Sequence, residues 1–518
     1  MRAIGLLLQL GVGIAALAAP AMAQVPDAAP KVQPKPPSED ELKRAIDVAQ
    51  KAVAQQDCRG VLGALDPLVP RLGDTPQRAA IQRLRLVCLG VENRVTEIAG
   101  VQRELGRSMP KDKMVQAFGV LVAADENRFV DAANQIASLA AQSPQSLEIL
   151  TGTAIRGIAA RLTEQRQYAA RGEMLVALSQ ADWQPNDMPE LRASFAQGAI
   201  DVLVGSGKTE EAAELLDRVD QPEVLTGMAI ERHYAPLWPA LEKKLGPASG
   251  SGVDRFARDR LAFYSDNPQS EPALRDAANA LLLLGRHQDV IDLTSDLAVQ
   301  DGMSSDAVRV AQYRARALAA LGRNDEVVQL YDRFQSLDLR RTPDASTVLI
   351  SYAEFLDEIG HEQQALDTAQ RALASASGLL TNFGKRWLDR TEICALSALG
   401  RVAEANASAD RLKAVAAQNE SAAIEALLCA RRDAEAAQIA VKAFEDKDMA
   451  GNLIIQFQPG EAVLGSTPSR LRQLWIAFLA RPDIKAAFDR RGRILPRTLW
   501  PSAEPRAIPH SGGGSSLT

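Results

Sequence analysis

The sequence predicts an all-α fold of stacked helical hairpins, an α-solenoid, and three observations carry that prediction. The first is a recurring punctuation in which a helical stretch closes on glycine and a small apolar residue follows five positions later in a second amphipathic helix. It reads Gly207 and Ala212, Gly285 and Val290, Gly322 and Val327, Gly360 and Ala365, and Gly400 and Ala405. The second is its period: from Gly285 to Gly400 successive turns lie 37, 38 and 40 residues apart, the length of one helix pair in a repeat array. The third is composition. Apolar residues make up 46% of the chain but aromatic ones only 4%, which favours close helix packing through small side chains over a core of large rings.

Taken in order, the chain opens with Met1-Arg2, an uncharged apolar run from Ile4 to Ala18, and the small-x-small pattern Ala21-Met22-Ala23. Residues 1–23 therefore read as a secretory signal peptide cleaved after Ala23, and the run is shorter than the roughly 20 residues a spanning helix needs. The mature chain is expected in the periplasm, without a transmembrane segment. Residues 24–37, QVPDAAPKVQPKPP, read as a proline-rich linker. Ser38 and Glu41 then form a capping box that starts the first helix. Helical repeats occupy 38–245, with breaks at Asp57, Asp66-Pro67, Gly73-Asp74, Met109-Pro110, Asn127 and Pro144. The glycine-rich stretch 246–252 is expected to be a joint between two half-solenoids. Repeats resume over 253–447, and 448–500 is expected to be an irregular segment followed by a capping helix, Arg472 to Arg491, kinked at Arg481-Pro482. Residues 501–518, with SGGGSS from Ser511 to Ser516, are expected to be a disordered tail.

Several units carry more than the spacing. Asn127 occupies a turn with Ala132 five residues on and Pro144 twelve beyond it. Tyr352, Gly360, Ala365, Ala369 and Ala372 mark another unit; Val327, Tyr331 and Phe334 mark the one before. Ala436, Ala440 and Ala443 follow Arg431, which stands where a turn glycine belongs. These positions resemble tetratricopeptide repeats, in degenerate form over two thirds of the chain. The consensus Trp and Leu-Gly pair of the first helix are mostly absent, and several units exceed the usual length of about 34 residues. The resemblance implies a right-handed α-solenoid of TPR-like hairpins in two halves, capped by a C-terminal helix, and the role of a scaffold or adaptor.

The four cysteines fall into two pairs, each bridging neighbouring hairpins. In an exported chain Cys58–Cys88 and Cys394–Cys429 are the favoured disulfides of the three possible connectivities, and four buried thiols are the alternative. A net charge of −6 gives no basic stripe for nucleic acid. Gly205-Ser206-Gly207-Lys208-Thr209 ends like a phosphate loop, but Val202 stands where the motif needs glycine, so a helix-pair turn is expected and no nucleotide. His233, His287, His361 and His510 show no metal-ligand spacing, and no metal or other cofactor is expected. Glu420-Ser421 resembles the acid Glu-Ser pair of cell-wall lytic transglycosylases, although the glycine-rich and Leu-Met-Gln stretches of that family are missing.

The leading expectation is a non-enzymatic scaffold or adaptor for a protein partner in the cell envelope. The competing one is a glycan-binding or lytic transglycosylase-like protein with a superhelical body. If the first helix of each pair lines the concave face, Arg275, Asn279, Arg309, Gln312 and Arg316 form a basic stretch, followed by the acidic Glu354, Asp357 and Glu358. Such a face suits an extended peptide or a partner oriented by charge.

Overall fold

The computed structural model describes residues 35–509 apart from 93 and 468. The expected signal peptide, most of the proline-rich linker and the tail from His510 onward lie outside the described residues. Helix follows helix with no strand among the described residues, apart from one isolated antiparallel bridge between Glu231 and Gly492. The chain is an α-solenoid of helical hairpins. It forms two compact units that divide between Val219 and Asp220.

Most hairpins among the described residues turn through one residue in the left-handed region. In the second unit these are Gly285, Gly322, Gly360 and Gly400, with φ from +71° to +78°, and Arg431 at +58°; in the first they include Gln56, Asn127, Arg166 and Gly207. Glycine enters this region without the Cβ clash that costs other residues about 1 kcal/mol or more. The next residue's N–H reaches back across the turn: Arg286 to the Leu281 carbonyl at 2.9 Å, Arg323 to Leu318 at 2.9 Å, Arg401 to Leu396 at 2.9 Å and Arg432 to Leu427 at 2.8 Å. This Schellman geometry satisfies a carbonyl that the helix end leaves open.

The residue that donates this bond is usually basic, and its side chain pairs with an acid three residues on. The pairs are Arg94–Glu97, Arg128–Asp131, Lys208–Glu211, Arg286–Asp289, Arg323–Glu326, Arg401–Glu404 and Arg432–Glu435. These second helices lack a Ser, Thr or Asp cap, so the acid also places negative charge where the helix dipole favours it. The pairs are largely solvated, and each contributes about 0–1 kcal/mol at most. One position further on is the small residue of the sequence pattern. Val290, Val327, Ala365, Ala405 and Ala436 are all buried against the first helix, and a small side chain there lets the two helices approach closely.

In the first unit, the Ser38 hydroxyl accepts from the Glu41 N–H at 3.2 Å. The returning half of the expected capping box is not made, because the Glu41 carboxylate accepts from Arg71 Nη2 at 2.9 Å instead. A disulfide joins Cys58 to Cys88 between the first two hairpins, and in the second unit another joins Cys394 to Cys429 between the Asn382–Ala398 and Glu420–Cys429 helices.

The second unit departs from the expected boundaries at two places. The stretch 246–252 lies inside it as a fixed corner. Gly246, Ala248 and Ser249 all have positive φ, and the helix Gly250–Asp266 starts directly after. Two consecutive left-handed residues other than glycine persist only where their surroundings over-determine them, and the C-terminal chain supplies those surroundings. The buried Ser249 hydroxyl donates to the Leu499 carbonyl at 2.5 Å, and Arg506 makes a two-pronged pair with Asp254 at 2.9 and 2.6 Å. Residues 501–509, expected to be disordered, are therefore placed against the unit's first helices.

The other departure is 448–500, which holds three helices, Lys447–Ile454, Arg470–Leu479 and Pro482–Arg491. Phe457, Trp475, Phe478 and Phe488 join Phe444 in one cluster, with Phe457 at its centre 5.0 Å from Trp475 and 5.5 Å from Phe488. In a chain so poor in rings, this cluster closes the last hairpin. The kink expected at Arg481-Pro482 is a break between two helices, with Pro482 at the first position of the second, where its missing N–H is tolerated.

Candidate functional site

The first helices of the second unit's hairpins, Glu271–Leu283, Ser305–Ala320, Ala345–Glu358, Asn382–Ala398 and Glu420–Cys429, carry all eight residues expected to form the binding face. The chain's own C-terminal segment lies along them. The Arg506 N–H donates to the Leu284 carbonyl at 2.8 Å, Arg316 Nη2 donates to the Gly465 carbonyl at 2.7 Å, and the Arg470 N–H donates to Glu358 Oε2 at 2.6 Å. Further along, Trp475 Nε1 donates to Glu425 Oε2 at 2.6 Å and Arg491 Nε to the Phe444 carbonyl at 2.8 Å.

Two of the three residues of the expected acidic stretch, Asp357 and Glu358, are used by these contacts, and the 46% exposed Glu354 by the neighbouring hairpin. Asp357 is fully buried and pairs with Arg470 at 2.9 Å, Glu358 also accepts from the Ser469 hydroxyl, and Glu354 pairs with Arg390 at 2.9 Å. The basic stretch is partly used. Arg275 pairs with Asp276 and Asp306, both at 2.6 Å, and Asn279 donates to Glu223 at 3.4 Å. Gln312 donates to the Ser351 hydroxyl at 3.5 Å. Arg316 is crowded by protein atoms that hold its pKa below the usual arginine value, yet its side chain still meets solvent. Arg309 is exposed. The face is thus open around Arg309 and covered from Gly465 onward.

Under the cover lies a charge cluster that spacing did not reveal. Arg390, with no solvent exposure, stands 3.0 Å from Glu425, 2.9 Å from Glu354 and 3.7 Å from Asp357. Arg472 donates to the carbonyls of Ile455 and Gln456 at 2.9 and 3.1 Å. Burial pushes the Asp357 carboxyl up to about 6, against the pull of Arg390 and Arg470. Burial also raises Glu425, opposed by Arg390 and the Trp475 hydrogen bond. For Arg390 the desolvation penalty is outweighed by Glu425, Glu354 and Asp357, and its pKa rises. One sequence signal pointed here: Glu425 is the lone charge in the apolar run Ala422–Leu428.

The remaining candidates sit as follows. Gly205 ends a helix, Gly207 takes the left-handed turn and Lys208 pairs with Glu211 at 3.2 Å, so this stretch is a hairpin turn. Glu420 stands half-buried in the first turn of a helix capped by Asn419. His361 Nδ1 lies 3.1 Å from Gln364, His233 packs edge-on to Tyr234, and burial with Arg316 nearby lowers His287. No helix among the described residues is long and apolar enough to cross a membrane.

No family model matches this chain, and no curated protein matches it. Among solved structures it is similar to the structure of Naa15/Naa10 bound to HypK-THB, at 11% identity over 77% of this chain and 67% of that chain, with a TM-score of 0.23. A likeness at that score carries no argument here, and the fold rests on the hairpins themselves.

Proposed function

We propose that this chain is an exported, non-enzymatic scaffold that holds a protein partner in the cell envelope, on TPR-like hairpins. The observation that carries the reading is an apolar step left uncovered in the second unit. Phe383 is 50% exposed and Leu379 45% exposed, and Trp387 meets Phe383 edge-to-face at 6.3 Å. An exposed ring beside an exposed leucine, backed by the partly exposed Trp387, suits a partner's anchor pocket. The envelope setting is supported by the leader-like N-terminus and by two disulfides, which persist in oxidising compartments.

The test is crosslinked affinity capture from an envelope extract, with residues 24–518 beside Phe383→Ser and Arg309→Glu variants. One dominant partner, reduced in either variant, supports the scaffold. Equal recovery from all three, or none from the wild type, refutes it. Release of soluble glycan from cell wall by the purified chain, lost on Glu420→Gln, would transfer the assignment to the glycan-cleaving alternative.

A further inference from the structure

One cavity of the second unit is built from two stretches far apart in sequence. Glu231, Arg232 and His233 line one part and Arg490 and Arg491 another, with Ala450 and Ile454 completing a volume of about 270 Å³. The two stretches are tied together beside it. Glu231 bridges Gly492, the Arg493 N–H donates to the Ile230 carbonyl at 2.8 Å, and the Arg493 guanidinium stacks 3.6 Å above the Trp238 ring while pairing with Glu242 at 2.7 Å. The two stretches of backbone are therefore fixed before any ligand arrives, while the Arg232 and Arg490 side chains stay exposed to solvent.

The lining is cationic although the chain is acidic overall: three arginines and a histidine against one carboxylate. That carboxylate, on Glu231, packs against the backbone at Gly451, where an added Cβ would stand 3.2 Å from Oε1. Arg491 is held by the carbonyls of Phe444 and Glu445 at 2.8 and 2.7 Å. Arg232 lies 5.8 Å over the Trp238 ring, and Arg490 pairs with no carboxylate among the described residues. The arginines that donate the return bond after the turns, by contrast, pair with an acid three residues on.

We propose that this cavity binds the oxyanion group, phosphate or carboxylate, of a small molecule, with Arg232 and Arg490 as its two charge-bearing forks. Planar guanidinium groups match both oxyanions through paired N–H donors. The volume falls just below the roughly 300 Å³ where drug-sized sites begin, which suits a small anion and not a polymer. This inference does not depend on the scaffold reading.

Calorimetric titrations of the full mature chain at low ionic strength test it, with inorganic phosphate and citrate as separate probes. At least one probe is expected to saturate with a Kd of about 1 mM or tighter, and Arg232→Gln and Arg490→Gln each to weaken it about tenfold. Arg156→Gln, at an exposed arginine outside both the cavity lining and the proposed partner face, should leave it unchanged. Saturation by phosphate alone or by citrate alone supports the site and names its chemistry. Arg490→Lys, which keeps the charge but not the fork, should fall between wild type and Arg490→Gln. Thermal unfolding of each variant separates lost binding from lost fold. No saturation by either probe, or equal weakening by Arg156→Gln, overturns the site.

Discussion

Replacing Asp357 by asparagine should change how the second unit's stability depends on pH, and the sign is fixed by the burial of that side chain. Its folded pKa is about 6, raised from 3.8, so between those values the folded chain holds a proton that the unfolded chain has released. The stabilisation is fully present below the unfolded pKa and is lost as pH rises through the folded one, the reverse of an exposed ion-paired aspartate. A shift of about 2 units corresponds to about 3 kcal/mol. The substituted asparagine is neutral and of nearly equal size, and its amide oxygen can still accept from Arg470. The wild type's stability relative to the variant should therefore fall by about 3 kcal/mol between about pH 4 and 6, then level off. Urea unfolding followed by tryptophan fluorescence measures this, because four of the five tryptophans, at 238, 387, 475 and 500, lie in the second unit. The difference between the two proteins cancels the carboxylates that do not interact with Asp357, leaving Glu358 and Glu425 as its coupled neighbours. A flat difference, or one that grows with pH, would refute the reasoning by showing that Arg390 and Arg470 outweigh desolvation.

Three further outcomes are expected. Removing one disulfide by Cys394→Ser with Cys429→Ser opens a loop with a sequence separation of 35, and the chain-entropy argument gives a loss of up to about 4 kcal/mol. An unchanged urea midpoint would contradict it. Gly400→Ala forces a Cβ into φ +73° and should cost about 1 kcal/mol, read as a lowered midpoint, whereas the non-glycine Arg431→Ala at the equivalent turn should shift it far less. Ser249→Ala leaves the buried Leu499 carbonyl without its donor and should cost about 1–3 kcal/mol, with faster amide exchange at residues 497–506. Exchange as slow as in the wild type would mean that the corner is held without the tail.

The hairpins were legible because the left-handed turn leaves a mark that one residue type usually fills. Gly207, Gly285, Gly322, Gly360 and Gly400 all take positive φ, and the residue five on is buried in each case. Arg431 could be placed by its alanine spacing and the turn at Gln56 by the break at Asp57, but Arg166 was not recognised as a turn, since arginine does not signal a left-handed backbone. The concave face was legible as a row of positions and not as a free surface. Repeat spacing tells which side chains share a helix face, whereas Gly465, Ser469 and Arg470 reach that face from more than 100 residues away from Arg316, Asp357 and Glu358.

That difference in range also explains why the acidic half of the face misled. Asp357 and Glu425 have the helical phase of core residues, and a core charge is tolerated only with partners. Arg390 is one such partner, itself fully buried between them. Three buried charges on three successive hairpins need an element that closes over them, and the helix Arg470–Leu479 brings Arg470, Arg472 and Trp475 to do so. An apolar run interrupted by one carboxylate is therefore better read as a place where another part of the chain docks than as a solvated binding groove. On the proposed scaffold reading, a partner should engage the surface that the C-terminal segment leaves open, around Arg309 and Phe383.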